Sequence, residues 1–411
     1  MDAITLFYLI IGILIFDFLL DQLLGFLNYT WYSKEIPQEL QDVYDADEYA
    51  KSQEYKKTNY RFSLLSGSIS FIAILIFLFY DGFAIIDSWA RTLVNHDILV
   101  GLLFFTVIAA AGEIISLPFS YYSTFVIEEK FGFNKTTTKT FIIDKIKGWA
   151  LTAILGGGIL SLVIVCYNWA GPNFWWYVWI LIFAISLLMN MFYARWFVPL
   201  FNKQTPLEEG SLKASIANYA QGVGFQLDKV FVIDGSKRST KANAYFSGFG
   251  SEKRVTLYDT LISKLTEEEI VAVLAHEVGH YKRKHIIYNL IASTITTGFT
   301  LWLFSLFVDS TTLSEALGVA IPSFHVGLVA FGLLYSPIST ITGIVMSSLS
   351  RKFEYQADAY ARDTYEGEPL IAALKKLNKT SLSNLTPHPA YVFFNYSHPT
   401  LYQRMMSMRE N

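Results

Sequence analysis

The chain has 411 residues, of which 53% are apolar types and 16% are charged. Soluble domains carry about 25% charged residues, so the composition excludes an ordinary soluble enzyme as well as a disordered chain. A net charge of −3 leaves no general basic surface, so nucleic acid is not an expected partner. The single cysteine, Cys166, excludes an intramolecular disulfide and a multi-cysteine metal site.

A membrane-spanning helix needs about 20 mostly apolar residues. Seven stretches qualify: 4–26, 63–86, 98–118, 149–170, 175–198, 286–308 and 325–349. The first has no basic flank and is too long for the apolar part of a signal peptide, so it reads as a retained span. Lys and Arg then fix the orientation. They fill the connections after spans 1, 3 and 5 and the segment after span 7, whereas the opposite side holds only Arg91. The positive-inside rule puts the basic side in the cytoplasm and the N-terminus outside. Trp149, Trp169, Trp175, Trp176 and Trp196 fall near span ends, as interfacial aromatics do. Asp17, Asp21 and Glu113 lie within apolar runs. Two readings stay open for them: protonated or interfacial groups, or groups facing a water-filled interior.

The polar connection at 199–285 shows a mixed pattern. A helix is expected at 211–221 and a β-branched strand at Val230–Ile233. Segments 243–247 and 254–258 flank Gly248-Phe249-Gly250 and read as a hairpin. Thr266 and Glu269 form a capping box that starts a helix over 267–284. After span 7 a further helix is expected at about 350–365, then a loop marked by Pro387 and Pro389, and a last helix near 400–409.

The helix at 267–284 carries His276-Glu277-Val278-Gly279-His280. Residues four apart share one helical face, so both imidazoles can hold one tetrahedral zinc. Glu277 can then act on a water at the metal as general base. A catalytic zinc needs a third protein ligand and an open position. The metzincin pattern fails, because positions 283 and 286 are Arg283 and Ile286. His285, nine residues past His276, should point away as a helix-end residue. Glu354, in Glu354-Tyr355-Gln356-Ala357-Asp358, is the better third ligand. Asp358, one turn on, can accept the second ring N–H of a ligand histidine. Asn243-Ala244-Tyr245-Phe246 is a candidate edge strand for pairing with an extended peptide. His398 can donate to an oxyanion, and Arg404 can support it electrostatically.

These residues resemble the type I CAAX prenyl endopeptidases, the integral membrane gluzincins. The resemblance runs from about 118 to 404. It rests on PFSYYSTFVIEEK at 118–130, GFNKT at 132–136, Pro199-Leu200-Phe201 with Pro206, GSKRS at 235–239, Asn243 to Phe246, His276 to His280, Glu354 to Asp358, and Ser397-His398-Pro399 with Arg404. It implies a polytopic α-helical membrane protein with seven transmembrane helices forming a barrel around a chamber, and a cytoplasmic α+β gluzincin-type zinc metalloprotease domain. It implies one Zn2+ per chain on His276, His280 and Glu354, with Glu277 as base and Asp358 behind the ligands. Asn243 and Ala244 would position the substrate backbone, and His398 and Arg404 would assist at the reacting centre. The implied substrates are C-terminally prenylated CAAX proteins that lose their last three residues.

The expected organisation is transmembrane helices 1–5 with cytoplasmic loops (1–198), a cytoplasmic protease segment (199–285), transmembrane helices 6–7 (286–349), and a cytoplasmic segment with the third ligand and a C-terminal helix (350–411). The expected partners are the lipid bilayer and a peptide or protein substrate, prenylated or not. The chain's length and the lack of a retrieval signal favour a bacterial cytoplasmic membrane over the endoplasmic reticulum. Two rivals remain at this stage. One is a membrane quality-control zinc protease of broad specificity. The other is a seven-span transporter or receptor in which the histidine motif is incidental.

Overall fold

The structure, a computed structural model, describes residues 1–227, 229–248 and 253–410. The first half is helical. α1 (Ala3–Thr30), α2 (Ala46–Phe79), α3 (Gly82–Leu93), α4 (Asp97–Tyr122), α5 (Thr138–Leu151), α6 (Gly157–Ala170), α7 (Phe174–Trp196) and the short α8 (Val198–Phe201) follow in order. π-helical turns at Ser123–Glu128 and Thr152–Gly156 extend α4 and join α5 to α6. The polar segment then gives β1 (Gln204–Pro206), α9 (Ser211–Gly222), β2 (Val230–Ile233), β3 (Ala244–Ser247), β4 (Arg254–Tyr258), α10 (Asp259–Ile262) and α11 (Glu267–Lys282). The chain ends with α12 (His285–Ser305), α13 (Thr311–Ala316), α14 (Phe324–Thr364), α15 (Gly367–Thr380), α16 (Pro389–Asn395) and α17 (Leu401–Glu410).

Among the described residues, 6 helices are long and apolar enough to cross a membrane, one fewer than the seven expected stretches. The difference lies in one run, Thr138–Phe201, whose 64 residues form a single helical stretch containing both 149–170 and 175–198. A straight helix of that length would span about 96 Å, roughly three times the hydrocarbon core of a bilayer. It does not run straight. Gly171, at φ +55°, opens a 3-10 turn with Pro172 and Asn173, and α6 and α7 fold against each other.

Two other boundaries differ from the sequence expectation. α2 stops at Phe79, short of 86, because Asp81 takes a left-handed conformation (φ 53°) and Gly82 abuts the Phe77 ring, where a Cβ has no room. The helix expected at 350–365 is not separate. α14 runs 41 residues unbroken, about 62 Å. A bilayer core takes up about half of that length, so one rod carries both the span and Glu354.

The apolar helices neighbour one another in a closed order. α2 packs on α1, α1 on α14, α14 on α12, α12 on α7, α7 on α6 and α6 on α4, and α3 bridges α4 back to α2. Their outward faces remain apolar and exposed, with Phe16, Ile72, Ile114, Ile180, Ile295 and Ile341 among them. Asp17 and Asp21 turn toward α14 instead, where Asp17 accepts from the Ser336 hydroxyl. Glu113 pairs with Lys145 at 2.9 Å.

The polar half is built on a four-stranded sheet of order β1-β2-β4-β3. β1 runs antiparallel to β2, β2 parallel to β4, and β4 antiparallel to β3, with Ala244 opposite Leu257 and Phe246 opposite Val255. β3 is therefore an edge strand. One apolar cluster joins β4 (Val255, Leu257), α11 (Ile270, Leu274), α15 (Leu370, Ile371) and α17 (Met405). Each fully buried Leu or Ile there contributes about 1.5–3 kcal/mol. Leu40, Tyr55, Ile127 and Phe131, from the connections after spans 1 and 3, complete the same cluster.

Candidate active site

α11 begins where its sequence says it should. Thr266 Oγ1 accepts from the Glu269 N–H (3.3 Å), and Glu269 Oε2 accepts from the Thr266 N–H (2.8 Å). Such caps stabilise a helix by about 0.5–2 kcal/mol. Glu267, Glu268 and Glu269 complement the positive end of the helix dipole. Ile270 through His276 are buried without interruption, so α11 is a central helix rather than an amphipathic surface one.

α11 lies directly against the far part of α14. Gly279 makes this possible: a Cβ there would stand 3.1 Å from both Cα and O of Ala357. The close approach brings Glu354 to the two histidines. His276 Nε2 and His280 Nε2 are 3.1 Å apart. Glu354 Oε1 is 3.2 Å from His280 Nε2, and its Oε2 is 3.5 Å from His276 Nε2. Bonds of about 2.0–2.1 Å at tetrahedral angles separate ligand atoms by roughly 3.3–3.4 Å, the spacing seen here. Glu354 Oε2 is also buried with no hydrogen-bond partner, its charge met only by the Arg404 guanidinium at 3.4 Å, so a closer cation would satisfy it. The donor set of two imidazoles and a carboxylate therefore fits a divalent metal ion.

Behind these three side chains, polar contacts fix their orientation. His276 Nδ1 donates to Asp358 Oδ1 at 2.9 Å, which leaves Nε2 facing Glu354. Burial disfavours a charged His276, but Asp358 and Glu354 outweigh it and raise its pKa to about 9, so a cation bound at Nε2 would take the place of a proton. Glu354 is driven the other way: despite burial, His276 and His280 hold its carboxyl far below the usual range. Arg404 is buried and forks onto Asp358, with Nε 2.8 Å from Oδ2 and Nη2 2.6 Å from Oδ1, while its Nη1 stands 3.4 Å from Glu354 Oε2.

His285 departs from expectation. A continuous helix would turn it away from His276, but α11 ends at Lys282 and Lys284 adopts a left-handed backbone (φ 60°). α12 starts afresh at His285. The reset places His285 Nδ1 2.9 Å from His280 Nδ1, and its Nε2 2.9 Å from Gln356 Oε1, with the ring stacked on Phe353. If His285 donates to Gln356, its Nδ1 accepts from His280, and His280 Nε2 is left bare toward Glu354. Burial pushes the His285 pKa down to about 4, consistent with a neutral acceptor. The sequence signal for this was Lys282-Arg283-Lys284, a basic helix end that marks a stop.

The remaining residues surround this cluster. Glu277 sits half-buried on α11. His398 is exposed, with Nε2 3.4 Å from Glu354 Oε1 and Nδ1 2.9 Å from Ser397 Oγ. Asn243 accepts the Tyr258 N–H through its carbonyl, and its side chain accepts from the Ala244 N–H. In an antiparallel ladder the bonded residues alternate, so Asn243 and Tyr245 face β4 while the Ala244 and Phe246 main chains face the open edge. Two strings of the sequence prove to be one unit. Lys135 N–H donates to Arg238 O, and Thr240 N–H to Phe133 O, while Arg238 forks onto Asp144 of α5 (2.7 and 2.9 Å).

The comparisons with known proteins agree with this geometry. Residues 26–203 match the family model described as CAAX prenyl protease N-terminal, five membrane helices, and residues 206–411 match peptidase family M48. CAAX prenyl protease 1 of Saccharomyces cerevisiae is 36% identical, covering 93% of this chain and 91% of its own length. The Arabidopsis thaliana homolog is 37% identical over 91% of this chain and 90% of its own. The Homo sapiens homolog is 31% identical over 91% and 88%. The crystal structure of S. mikatae Ste24p superposes with a TM-score of 0.94 at 35% identity, covering 98% of this chain and 99% of that one. These relatives are eukaryotic, so the bacterial membrane expected from chain length finds no support and is set aside. Side chains that converge from two helices, and family models that together span nearly the whole chain, leave no place for an incidental motif. The chain belongs to peptidase family M48, among the integral membrane metallopeptidases of the CAAX prenyl protease type.

Proposed function

We propose that this protein is a membrane-embedded zinc metalloendopeptidase that cuts CAAX-type substrates near their C-terminus. The observation that carries the reading is the convergence of His276, His280 and Glu354, with the Glu354 Oε2 atom buried and without a hydrogen-bond partner. One zinc per chain would be held by these three side chains. When bound, zinc supplies Lewis acidity, acidifying water and polarising a carbonyl oxygen.

The chain's own residues do the rest. The open edge of β3, at Ala244 and Phe246, pairs with the substrate backbone and lays the scissile bond along the site. Glu277 takes the proton of the attacking water and returns it to the leaving amine. His398 donates from Nε2 to the developing oxyanion. Arg404 acts from behind, because its guanidinium is committed to Asp358 and Glu354, and it positions a ligand carboxylate. Seven crossings are the best reading of the membrane half, counting α6 and α7 as separate arms of the run bent at Gly171. The polar half then lies in the cytoplasm by the positive-inside rule, with the N-terminus outside and the helical ring enclosing a chamber.

Purified protein should contain equimolar zinc and release a tripeptide from a prenylated CAAX peptide, read by mass spectrometry beside an unmodified peptide. Glu277→Gln should keep the zinc and lose about 10²- to 10⁴-fold in turnover. Undiminished cleavage by that variant would overturn the mechanism.

A further inference from the structure

Beside the His276, His280 and Glu354 cluster lies a cavity of about 380 Å³. Its size suits a few residues of peptide. His398 borders both spaces: it stands 3.4 Å from Glu354 and also lines this cavity. None of the residues lining the cavity is acidic, while Lys56, His398 and Arg404 all contribute to it.

One of its polar groups lacks a hydrogen-bond partner, and another, the Lys56 ammonium, meets only the Tyr55 ring face at 5.3 Å. The Asn384 side-chain oxygen accepts from the Thr386 N–H at 3.1 Å, which fixes the amide orientation. Its Nδ2 is buried with no hydrogen-bond partner. Lys56, on α2, has a carboxylate in its neighbourhood, Glu128, but that group is already shared. Glu128 accepts from the Tyr55 hydroxyl and pairs with the Lys241 ammonium at 2.8 Å. Among the described residues, no carboxylate forms an ion pair with Lys56. Burial and the neighbouring Lys241 charge lower its pKa to about 8, with Glu128 opposing, so it carries its charge at neutral pH in a setting that disfavours it.

We infer that this cavity binds the terminal α-carboxylate of the substrate, with the Lys56 ammonium and the Asn384 amide as its partners. The inference rests on the proposed cleavage near a C-terminus. A carboxylate three residues beyond the scissile bond lies about 10–11 Å downstream in an extended chain. It therefore falls outside the metal cluster, in an adjoining space. Lys56 thereby becomes a specificity residue: it tells a chain end from an internal sequence.

The test uses the purified full-length protein with zinc and one prenylated CAAX peptide made as the free acid and as the C-terminal amide. A charge-assisted hydrogen bond is worth about 10- to 100-fold in kcat/KM, so the acid should be preferred by at least about tenfold. Lys56→Met should bring that ratio close to one, chiefly through KM on the acid. Lys56→Arg should restore the preference. Met removes a charge that burial disfavours, so the variant should melt no lower than the parent, which separates a binding loss from misfolding. Equal cleavage of acid and amide by the parent protein overturns this inference and leaves the peptidase reading intact. A preference that survives Lys56→Met overturns it as well. Inhibition by millimolar inorganic phosphate with an acid-to-amide ratio of one would assign the cavity to phosphate instead. Cleavage of neither peptide would defeat the peptidase reading itself, and the carboxylate site with it.

Discussion

The two ends of α14 carry similar chemistry and put it to different use. At its start, His325 Nε2 stands 2.7 Å from Asp87 Oδ1, and Arg91 Nε holds Asp87 Oδ2 at 2.9 Å. Near its other end, about 50 Å away along a rod of 1.5 Å per residue, Asp358 receives His276 at 2.9 Å and Arg404 at 2.6 Å. Both are His-Asp-Arg groups around a buried His-Asp pair, with Arg91 partly exposed and Arg404 buried. The first is closed: each Asp87 oxygen has its partner. The second is open: two imidazole nitrogens 3.1 Å apart and a carboxylate oxygen with no hydrogen-bond partner face one point. A buried histidine-carboxylate pair therefore marks no site by itself. What distinguishes the second is the polar atom left over once every neighbour has been satisfied.

The largest expected effect tests how that open cluster is assembled. Gly279 meets main-chain atoms of Ala357 and the Tyr360 Cβ at 3.1 Å, and main chain cannot step aside as a side chain can. Gly279→Val should push α11 off α14, at a cost of about 1–3 kcal/mol of overpacking. It should also shift the histidines from Glu354. A displacement near 1 Å is enough to cost on the order of 10²-fold in rate, so zinc content and kcat/KM should fall together. At the closed end, Gly101 offers the contrast: its nearest neighbour is the tip of the Ile164 side chain at 3.1 Å, which can give way. Gly101→Ala should leave both quantities within about twofold of the parent. Full zinc occupancy in Gly279→Val would break the distinction between the two ends.

The open cluster was largely legible in the sequence, and the reason is local. His276, Glu277 and His280 belong to one helix whose cap and first turn can be read off Thr266 to Glu269. Glu354 and Asp358 also sit one helical turn apart. The four expected segments at 211–221, 230–233, 243–247 and 254–258 reappear within a residue or two at each end. What the sequence hid depends on breaks and on distance. One left-handed residue, Lys284, turns His285 from a bystander into the neighbour of His280. At 349–350 the apolar run gives way to Ser350-Arg351-Lys352, a change of polarity that reads as a helix boundary, yet α14 passes through it unbroken. α15 was missed although Leu370, Ile371 and Leu374 are buried, because two turns of amphipathic pattern amid charged residues look like surface. The closed cluster was invisible: Asp87 and His325 are 238 residues apart.

A middle-sized effect tests His285. In the proposed site it touches no substrate; it holds His280, a proposed ligand, in place. Outer hydrogen-bond partners of this kind typically cost 10–100-fold in metal affinity when removed. His285→Ala should weaken zinc binding by that factor in a chelator competition. His285→Gln, which keeps an acceptor within reach, should recover part of it. Unchanged zinc affinity in His285→Ala would reduce the contact to packing against Phe353 and leave His280 to be oriented by the metal alone.

The smallest effect on catalysis belongs to the closed cluster, and it is the sharper test for that reason. His325→Ala removes one partner of a buried pair, but Asp87 keeps Arg91, so about 1–3 kcal/mol of stability should go rather than the roughly 3–5 of a fully stranded charge. Thermal unfolding of the purified protein should fall by a few degrees, whereas zinc content and kcat/KM should remain within about twofold. The expectation follows from geometry: α14 is a single rod, and a contact at one end that ties it to α3 and to Phe104 of α4 has no second arrangement to report to the other. Should kcat/KM drop while zinc stays bound, the rod would be transmitting position along its length. His325 would then belong with the residues that set Glu354 in place, and the two ends of α14 would be one device.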